Sequence, residues 1–231
     1  YTTLDNFRFE RKYVVENKSV SYVVQLIKLN PMGFKSIYKK RRINNVYFDS
    51  PTLTNYYDNH FGKSERVKIR IRWYGETFGK AEKPILEFKI KKGLAGIKKS
   101  FPLASFQLKA PFNKWDWEKI FKDSDLPEEV MQEVHRSVPT LLNTYERQYF
   151  QSFDGHYRFT VDAKMKFYEL GRNTTNFSRV AEERETIVLE LKYDMDKEKG
   201  LRTITGSLPV RLGKFSKYVR GIELFHSHLA V

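Results

Sequence analysis

Residues 66–74 alternate apolar and cationic side chains with a period of two, and the cations stand at Lys68, Arg70 and Arg72. Residues 86–91 repeat the pattern, with Glu87 and Lys89 between apolar neighbours. Because successive side chains of a strand point to opposite faces, this pattern is typical of strands with one apolar and one charged face. Residues 97–103 follow after a Gly-containing turn, so the region predicts three antiparallel strands in a meander.

A solvated antiparallel sheet also alternates polar and apolar residues, and for one strand a wet outer face is the ordinary interpretation. The charge balance favours another arrangement here. Between residues 63 and 100 there are 12 Lys or Arg against four Glu, and like charges on neighbouring strands repel. A closed barrel with helices packed outside would direct these cations into one cavity, where a multiply charged anion would neutralise them. We therefore predict an α+β fold built on a closed antiparallel β-barrel, or tunnel.

Period-two or apolar patterns predict further strands on both sides of a helical segment, and we expect residues 1–231 to form a single domain around one sheet. The predicted strands cover residues 7–13, 43–49, 142–151, 157–167 and 186–193. Helical spacing predicts helices over residues 19–29, 112–121, 125–138 and 214–225, with Ser19 as an N-cap. Residues 52–60 are predicted as a short helix or loop, and residues 171–177 as a polar loop.

The amino-acid composition indicates the kind of partner and excludes several kinds of site. The net charge of +14 indicates a polyanionic partner. The absence of Cys excludes disulfide frameworks, thiolate metal sites and Cys nucleophiles. No apolar run is long enough to span a bilayer, so we expect a cytoplasmic protein that associates with membranes only through partners.

Three carboxylates interrupt the cationic pattern. Glu10, Glu87 and Glu190 share the charged faces of their strands. Carboxylates in such positions suit a divalent cation that bridges phosphate oxygens. The residues therefore predict a cationic tunnel that contains a metal-binding acidic minority.

Eight short motifs occur in an order that resembles the VTC domain, the polyphosphate polymerase domain of the vacuolar transporter chaperone family, within the CYTH or triphosphate tunnel metalloenzyme superfamily. The resemblance covers about residues 8–225. The motifs are Glu10-x-Lys12, Tyr47-Phe48-Asp49, Lys68-x-Arg70-x-Arg72, Leu86-Glu87-x-Lys89, Tyr145-x-Arg147, Arg158-x-Thr160-Val161-Asp162, Leu189-Glu190-x-Lys192 and Ser216-Lys217-Tyr218.

The resemblance implies a β tunnel in which a metal-bound ATP is gripped by Lys and Arg, and its γ-phosphoryl group passes to a growing polyphosphate chain. The metal would be Mn²⁺ or Mg²⁺, held by Glu190, with Glu10 as a second candidate ligand. Lys98 is preferred over Lys99 because Phe101 should face the apolar side, and Ser216 suits a helix cap or a phosphate donor equally. The implied phosphate ligands are Lys12, Arg70, Arg72, Lys89, Lys98, Arg147, Arg158, Lys192, Ser216 and Lys217.

One departure from the superfamily pattern concerns activity. Triphosphatase members carry a second Glu two residues before Glu10, where this chain has Arg8, which favours transfer over hydrolysis. We expect a bacterial stand-alone form or an excised domain, with ATP and polyphosphate rather than nucleic acid as partners.

Two alternatives stay open. One is a tunnel triphosphatase, and the other is a non-catalytic module that binds polyphosphate or RNA. Other phosphate motifs fail, because neither a P-loop nor a Gly-x-Gly-x-x-Gly motif occurs in the chain.

Overall fold

A computed structural model describes residues 2–3, 8–93 and 95–229 of the chain. The strands are β1 (Thr2–Thr3), β2 (Arg8–Glu16), β3 (Lys35–Asp49), β4 (Glu65–Tyr74), β5 (Gly79–Ala81), β6 (Ile85–Lys92), β7 (Ala95–Pro102), β8 (Phe106–Leu108), β9 (Phe112–Asn113), β10 (Val138–Gln151), β11 (Tyr157–Glu169), β12 (Thr174–Thr175), β13 (Val180–Glu183) and β14 (Thr186–Asp194). The helices are α1 (Val20–Lys28), α2 (Thr54–His60), α3 (Lys114–Lys122), α4 (Glu128–His135), α5 (Leu201–Gly206) and α6 (Lys217–Phe225). Two 3-10 helices, Met195–Gly200 and Ser227–Leu229, flank α5 and α6.

Ten of the strands within those ranges form one antiparallel sheet, in the order β1-β7-β6-β4-β3-β10-β11-β14-β2, with β13 paired to β11. Strands that precede and follow the helical segment α3–α4 both belong to it. The predicted meander is confirmed, because β6 pairs with β4 on one side and with β7 on the other. The α+β class is confirmed as well.

The prediction of a closed barrel is wrong for the described residues, in which no backbone pair joins β2 to β7 or β1. The sheet is instead a strongly curled half-barrel. Its curl brings Glu10 of β2 within 3.6 Å of Lys89 of β6, although these strands lie near opposite ends of the sheet order. The edge of β2 that does not pair with β14 is hydrogen-bonded to the segment before α6, where the Gly213 amide donates to the Lys12 carbonyl over 2.8 Å. That segment occupies hydrogen-bonding groups that a closing strand would need.

Helices cover the outer face of the sheet in two apolar clusters. In the first, Trp117 and Phe121 of α3 pack on Phe48 of β3. In the second, Val23 and Ile27 of α1 pack in the cluster that contains the apolar side chains of β11 and β14. Each fully buried large side chain contributes about 1.5–3 kcal/mol. The outer face of the sheet therefore carries the two larger apolar clusters, and the charged residues lie on the inner face.

The last helix, α6, lies on the inner face of the curl. Tyr218 and Ile222 pack there with Leu141 and Phe167. Gly221 permits this close approach, because a Cβ at that position would lie 2.3 Å from Leu141 Cδ2. No helix among the residues described is both long and apolar enough to cross a membrane.

The element boundaries differ from the sequence predictions in places that have a physical explanation. Strand β3 begins at Lys35 rather than at residue 43. The sequence pattern missed residues 35–42 because they extend beyond β4 and are mostly exposed, so they show no alternation of apolar and polar side chains. Val138, predicted as the end of a helix, begins β10; the following Pro139 disfavours a helical conformation there. Phe7 lies outside the described residues.

Two further predictions concern the start of α1 and the loop at residues 171–177. Ser19 caps α1 as predicted, accepting a hydrogen bond from the Tyr22 amide over 3.1 Å. The polar loop at residues 171–177 contains the two-residue strand β12, which pairs with β9.

Candidate functional site: a cationic channel inside the curled sheet

Strand alternation determines which side chains reach the inner face of the curl. On β4 the odd-numbered Ile69, Ile71 and Trp73 are buried in the outer cluster, so Lys68, Arg70 and Arg72 point inward. On β7, Lys98 reaches Glu87 over 2.6 Å, which agrees with the preference for Lys98 over Lys99. The inner face therefore carries the charged half of each alternating strand.

The structure brings most of the predicted site residues to the concave inner face of the curled sheet, here called the channel, where their polar contacts form three groups. Arg158 lies apart from them, exposed at one mouth. The roles of these residues in catalysis or binding stay predictions. The residues brought together are Lys12, Arg70, Arg72, Lys89, Lys98, Arg147, Lys192, Ser216, Lys217, Glu10 and Glu190.

The first group surrounds Glu87 of β6. Its carboxylate lies 2.7 Å from Arg70, 2.6 Å from Lys98 and 3.9 Å from Arg72. Burial raises the pKa of Glu87, but Arg70, Arg72 and Lys98 outweigh burial and lower that pKa to about 2. Arg72 also donates to Asn45 Oδ1 over 2.9 Å. Glu87 therefore holds Arg70, Arg72 and Lys98 in position on the inner face.

The second group surrounds Asp162 of β11, which is fully buried. Arg147 makes a bidentate contact with its two oxygens over 2.5 and 2.7 Å, and Lys217 Nζ lies 2.6 Å from Oδ2. Lys217 also lies over the ring of Tyr145, 4.5 Å from its centroid. Burial raises the pKa of Asp162, but Lys217 and Arg147 hold it below its usual value. The sequence prediction did not include Asp162 among the site residues, although it ends one of the motifs that carry the resemblance.

The third group contains Glu10 and Glu190, the two predicted metal ligands. Lys12 lies 2.9 Å from Glu10 and 3.8 Å from Glu190, and Lys192 lies 3.7 Å and 3.0 Å from the same carboxylates. Burial raises the pKa of Glu190, yet Lys192, Lys12 and Arg147 hold it well below the usual range. Burial and the charge of Glu190 raise the pKa of Glu10. The charges of Lys12, Lys89 and Lys192 outweigh them, so that the pKa of Glu10 lies below its usual value. Both carboxylates are therefore ionised at neutral pH.

These two carboxylates fit a metal that arrives with phosphate. In the described part of the chain, no three His, Asp or Glu side chains are grouped so that they could hold a metal ion by themselves. Mg²⁺ and its analogues commonly use one or two carboxylates and take their remaining ligands from substrate phosphates and water. The donor set at Glu10 and Glu190 matches that mode.

Lys68 is a channel residue that the sequence prediction did not select. Its Nζ donates to Ser216 Oγ over 3.0 Å. Burial, together with the charges of Lys12, Lys89, Arg70 and Arg66, lowers the pKa of Lys68 to about 7. Its place beside Arg70 on the alternating strand was the signal that could have selected it.

Ser216 takes one of the two roles that the sequence left open, that of a helix cap, and its role as a phosphate donor stays a prediction. It is the N-cap of α6 and accepts from the Val219 amide over 3.4 Å. Its hydroxyl also faces the channel through its contact with Lys68. The α6 N-terminus thus places Ser216 and Lys217 beside the cations of β4 and β10.

One mouth of the channel widens into a cavity of about 280 Å³. Arg147 and Lys192 line its inner side, and Arg158 and His156 lie around it. Tyr38 and Tyr149 form an aromatic wall, with their ring centroids 5.5 Å apart.

The channel contains more cations than carboxylates, and its carboxylates are all ion-paired. Arg supplies bidentate contacts to phosphate and Lys supplies point charges. A curled antiparallel sheet with this interior defines a tunnel-type protein suited to a multiply charged phosphate compound. The sequence matches the VTC domain over residues 7–226, and the chain belongs to that family. The resemblance read from the motifs is confirmed.

The chain is also similar to several solved structures. HpAC1 of Hippeastrum, described as having a dominant triphosphatase activity, is 17% identical, with 95% of this chain and 96% of that chain covered and a TM-score of 0.48. A Vibrio parahaemolyticus protein described as a proposed adenylate cyclase is 13% identical, with coverage of 92% and 96% and a TM-score of 0.48. PH1819 of Pyrococcus horikoshii is 13% identical, with coverage of 95% and 99% and a TM-score of 0.47. No curated protein sequence matches the chain.

Proposed function

We propose that this chain is a polyphosphate polymerase that transfers the γ-phosphoryl group of ATP to the end of a growing inorganic polyphosphate chain. Membership of the VTC domain family supports this assignment. The observation that carries it is the channel itself, in which cations line opposite walls around Glu87, Asp162 and the Glu10–Glu190 pair. Separate groups of cations on one inner face suit a donor and an acceptor phosphate chain bound side by side in the same channel.

The donor and acceptor phosphates are gripped by different groups in this proposal. Arg70, Arg72 and Lys98 bind one chain from the wall held by Glu87. Arg147 and Lys217 bind from the opposite wall held by Asp162. Each anchoring carboxylate fixes its cations before substrate arrives, and such preorganisation lowers the cost of stabilising charge in the transition state.

Phosphoryl transfer depends mainly on in-line positioning and on neutralisation of the equatorial oxygens. The attacking group is a terminal phosphate oxygen of the acceptor, which is already ionised, so neither a protein nucleophile nor a general base is required. The paired state of all the channel carboxylates agrees with this chemistry. None of Glu10, Glu87, Asp162 or Glu190 has a raised pKa that would suit it to accept a proton at neutral pH.

Glu190 and Glu10 would hold Mg²⁺ or Mn²⁺ in the proposed enzyme. Such a cation supplies Lewis-acid polarisation of the phosphate oxygens. Lys12 and Lys192 contact the same carboxylates. They therefore hold the two side chains ready when no cation is bound.

The deciding experiment is an incubation of the chain with ATP and Mg²⁺ or Mn²⁺, resolved on a gel stained for polyphosphate. A polymerase forms long polyphosphate, a triphosphatase releases only inorganic phosphate, and a binding module leaves ATP unchanged. Glu190→Gln should abolish metal-dependent product formation while the variant remains folded, which a cooperative thermal unfolding transition would show.

A matched pair of variants tests whether the channel is the site. Lys98→Ala should lower turnover at least tenfold, about 1.4 kcal/mol, because Lys98 contacts Glu87 inside the channel. Lys99→Ala removes the same charge from the neighbouring residue, which is exposed, and should leave turnover within about twofold of wild type. Equal losses in the two variants would point to diffuse electrostatics and against a defined site in the channel.

A further inference from the structure

Two of the motifs that carry the family resemblance end in residues to which the proposed function gives no role. Asp49 is the last residue of β3, and Tyr218 lies in the first turn of α6. Both side chains are buried, so neither is available to a phosphate chain in the channel. They contact each other directly, because the Tyr218 hydroxyl donates to Asp49 Oδ2 over 2.5 Å. Their role therefore lies in what this hydrogen bond holds in place.

Asp49 is a rigid anchor because its carboxylate is bound to the main chain. Oδ1 accepts from the amides of Ser50 and Asn55 over 2.7 and 2.8 Å. Oδ2 accepts from the amide of Tyr56 over 2.8 Å, as well as from the Tyr218 hydroxyl. Three hydrogen bonds to backbone amides leave the carboxylate little freedom to rotate. The position of Tyr218 is therefore fixed relative to the end of β3 and the start of α2.

Tyr218 fixes the rotation of α6 about its own axis. Its ring also stacks on Tyr47, with the centroids 5.0 Å apart. Successive residues of a helix are separated by about 100°, so the neighbouring Lys217 points to another side of α6, where its Nζ lies 2.6 Å from Asp162 Oδ2.

A small rotation of α6 would displace Lys217 noticeably. On a cylinder of radius about 2.3 Å, a rotation of about 20° moves a Cα by about 0.8 Å. The usual range of hydrogen-bond distances is narrower than that, about 0.5 Å for an N–H donor and an oxygen acceptor. The contact that holds the Lys217 ammonium in the channel therefore depends on the anchor at the next residue.

We infer that Asp49 and Tyr218 are positioning residues, which hold Lys217 at the place in the channel where it receives a phosphate group. Neither residue touches the ligand, and both act through α6. This inference rests on the proposed function to the extent that Lys217 binds phosphate. The hydroxyl of Tyr218 should then matter for phosphate binding only while the side chain of Lys217 is present.

A double-mutant cycle on tripolyphosphate binding measures this dependence. Dissociation constants are obtained by calorimetry in the presence of Mg²⁺ for wild type, Tyr218→Phe, Lys217→Ala and the double variant, below the unfolding transition of the least stable of them. Tyr218→Phe keeps the ring that packs on Tyr47 and should fold. It should weaken binding about fivefold or more, within the range seen for coupled residues. In the Lys217→Ala background, the same substitution should change the dissociation constant by less than about twofold.

Tyr56→Phe is the matched control for the loss of a buried hydroxyl. Tyr56 is fully buried on α2, and its hydroxyl donates to the Leu229 carbonyl over 3.2 Å, beyond the end of α6 that is far from Lys217. This variant should leave tripolyphosphate binding within about twofold of wild type. Both Tyr→Phe variants should lower the thermal unfolding transition. A loss of stability by itself therefore does not produce the result expected for Tyr218→Phe.

The cycle has outcomes that overturn the inference. One is a folded Tyr218→Phe variant that binds tripolyphosphate as wild type does, and another is an equal loss with and without Lys217. A Lys217→Ala variant with wild-type affinity also overturns it, because Lys217 would then make no phosphate contact that needs positioning. Failure to form polyphosphate in the gel assay overturns only the polymerase, since the cycle measures binding and needs no turnover.

Discussion

Lys68 should take up a proton when a triphosphate binds. In the free protein, burial and the neighbouring cations lower the pKa of Lys68 to about 7. Lys68 is therefore about nine-tenths neutral at pH 8. A bound polyanion favours the charged form and moves this pKa back toward its ordinary value. Binding at pH 8 should then take up as much as about 0.9 proton at this side chain.

The sign of the pH dependence follows from the direction of the shift. The protonated form of Lys68 binds the anion more tightly, and the free protein loses that proton as the pH rises through about 7. Affinity for a triphosphate should therefore fall as the pH rises above 7, by up to about tenfold per pH unit. The fall ends where the bound state also loses the proton, near the ordinary pKa of lysine.

Calorimetry at pH 8 measures this proton directly. Titration of MgATP in buffers that differ in ionisation enthalpy gives the number of protons exchanged per ligand bound. Lys68→Met should reduce the uptake by more than half relative to wild type.

Lys12→Met is the matched control in the same channel. Burial lowers the pKa of Lys12, but Glu10 and Glu190 outweigh burial and raise that pKa above the ordinary value. Lys12 is therefore charged at pH 8 with or without ligand, so its replacement removes no titrating group. Because the charge of Lys12 is one of those that lower the pKa of Lys68, Lys12→Met should reduce the proton uptake, but by less than Lys68→Met does. The reasoning is refuted if wild type takes up no proton at pH 8, or if Lys68→Met takes up as many as wild type.

Two other predictions concern stability in urea. Asp162→Asn leaves two cations in the channel without their buried partner and should lower the free energy of unfolding by about 3 kcal/mol. Glu146→Gln, in a partly exposed ion-pair cluster, is the control and should lower it by less than about 1 kcal/mol. Similar losses in the two variants would contradict the burial of Asp162. Gly221→Ala should cost about 1–3 kcal/mol by overpacking α6 against Leu141. Gly206→Ala is its control, because a Cβ at that position meets nothing within 4 Å. A Gly221→Ala variant as stable as wild type would show that α6 does not lie so close to the sheet.

Local patterns predicted most of the sheet and several helices. The alternation at residues 66–74 became β4, and the Ser19 cap with the following apolar positions became α1. Where a segment lacked a local pattern, prediction failed. The first half of β3 extends beyond β4 with most of its side chains exposed, so residues 35–42 show no period of two, although they form one strand with residues 43–49.

The inward cations were predictable for the same local reason, but their partners were not. Parity along β4 places Arg70 and Arg72 on the charged face, whereas Arg147 was expected only from the motif resemblance. The bidentate pair of Arg147 with Asp162 depends on the pairing of β10 with β11. Lys217 reaches the same carboxylate only because α6 lies inside the curl.

Covalent geometry makes successive strand side chains alternate, so the sequence by itself determined which residues share a face and that this face is cationic. The tertiary structure decided which faces meet. Three features depend on curvature that accumulates over the whole sheet. They are the approach of Glu10 to Lys89 across the curl, the hydrogen bond between β2 and the segment before α6, and the burial that lowers the pKa of Lys68. No local pattern encodes that curvature, because it arises from strand twist, helix packing and loop placement acting together.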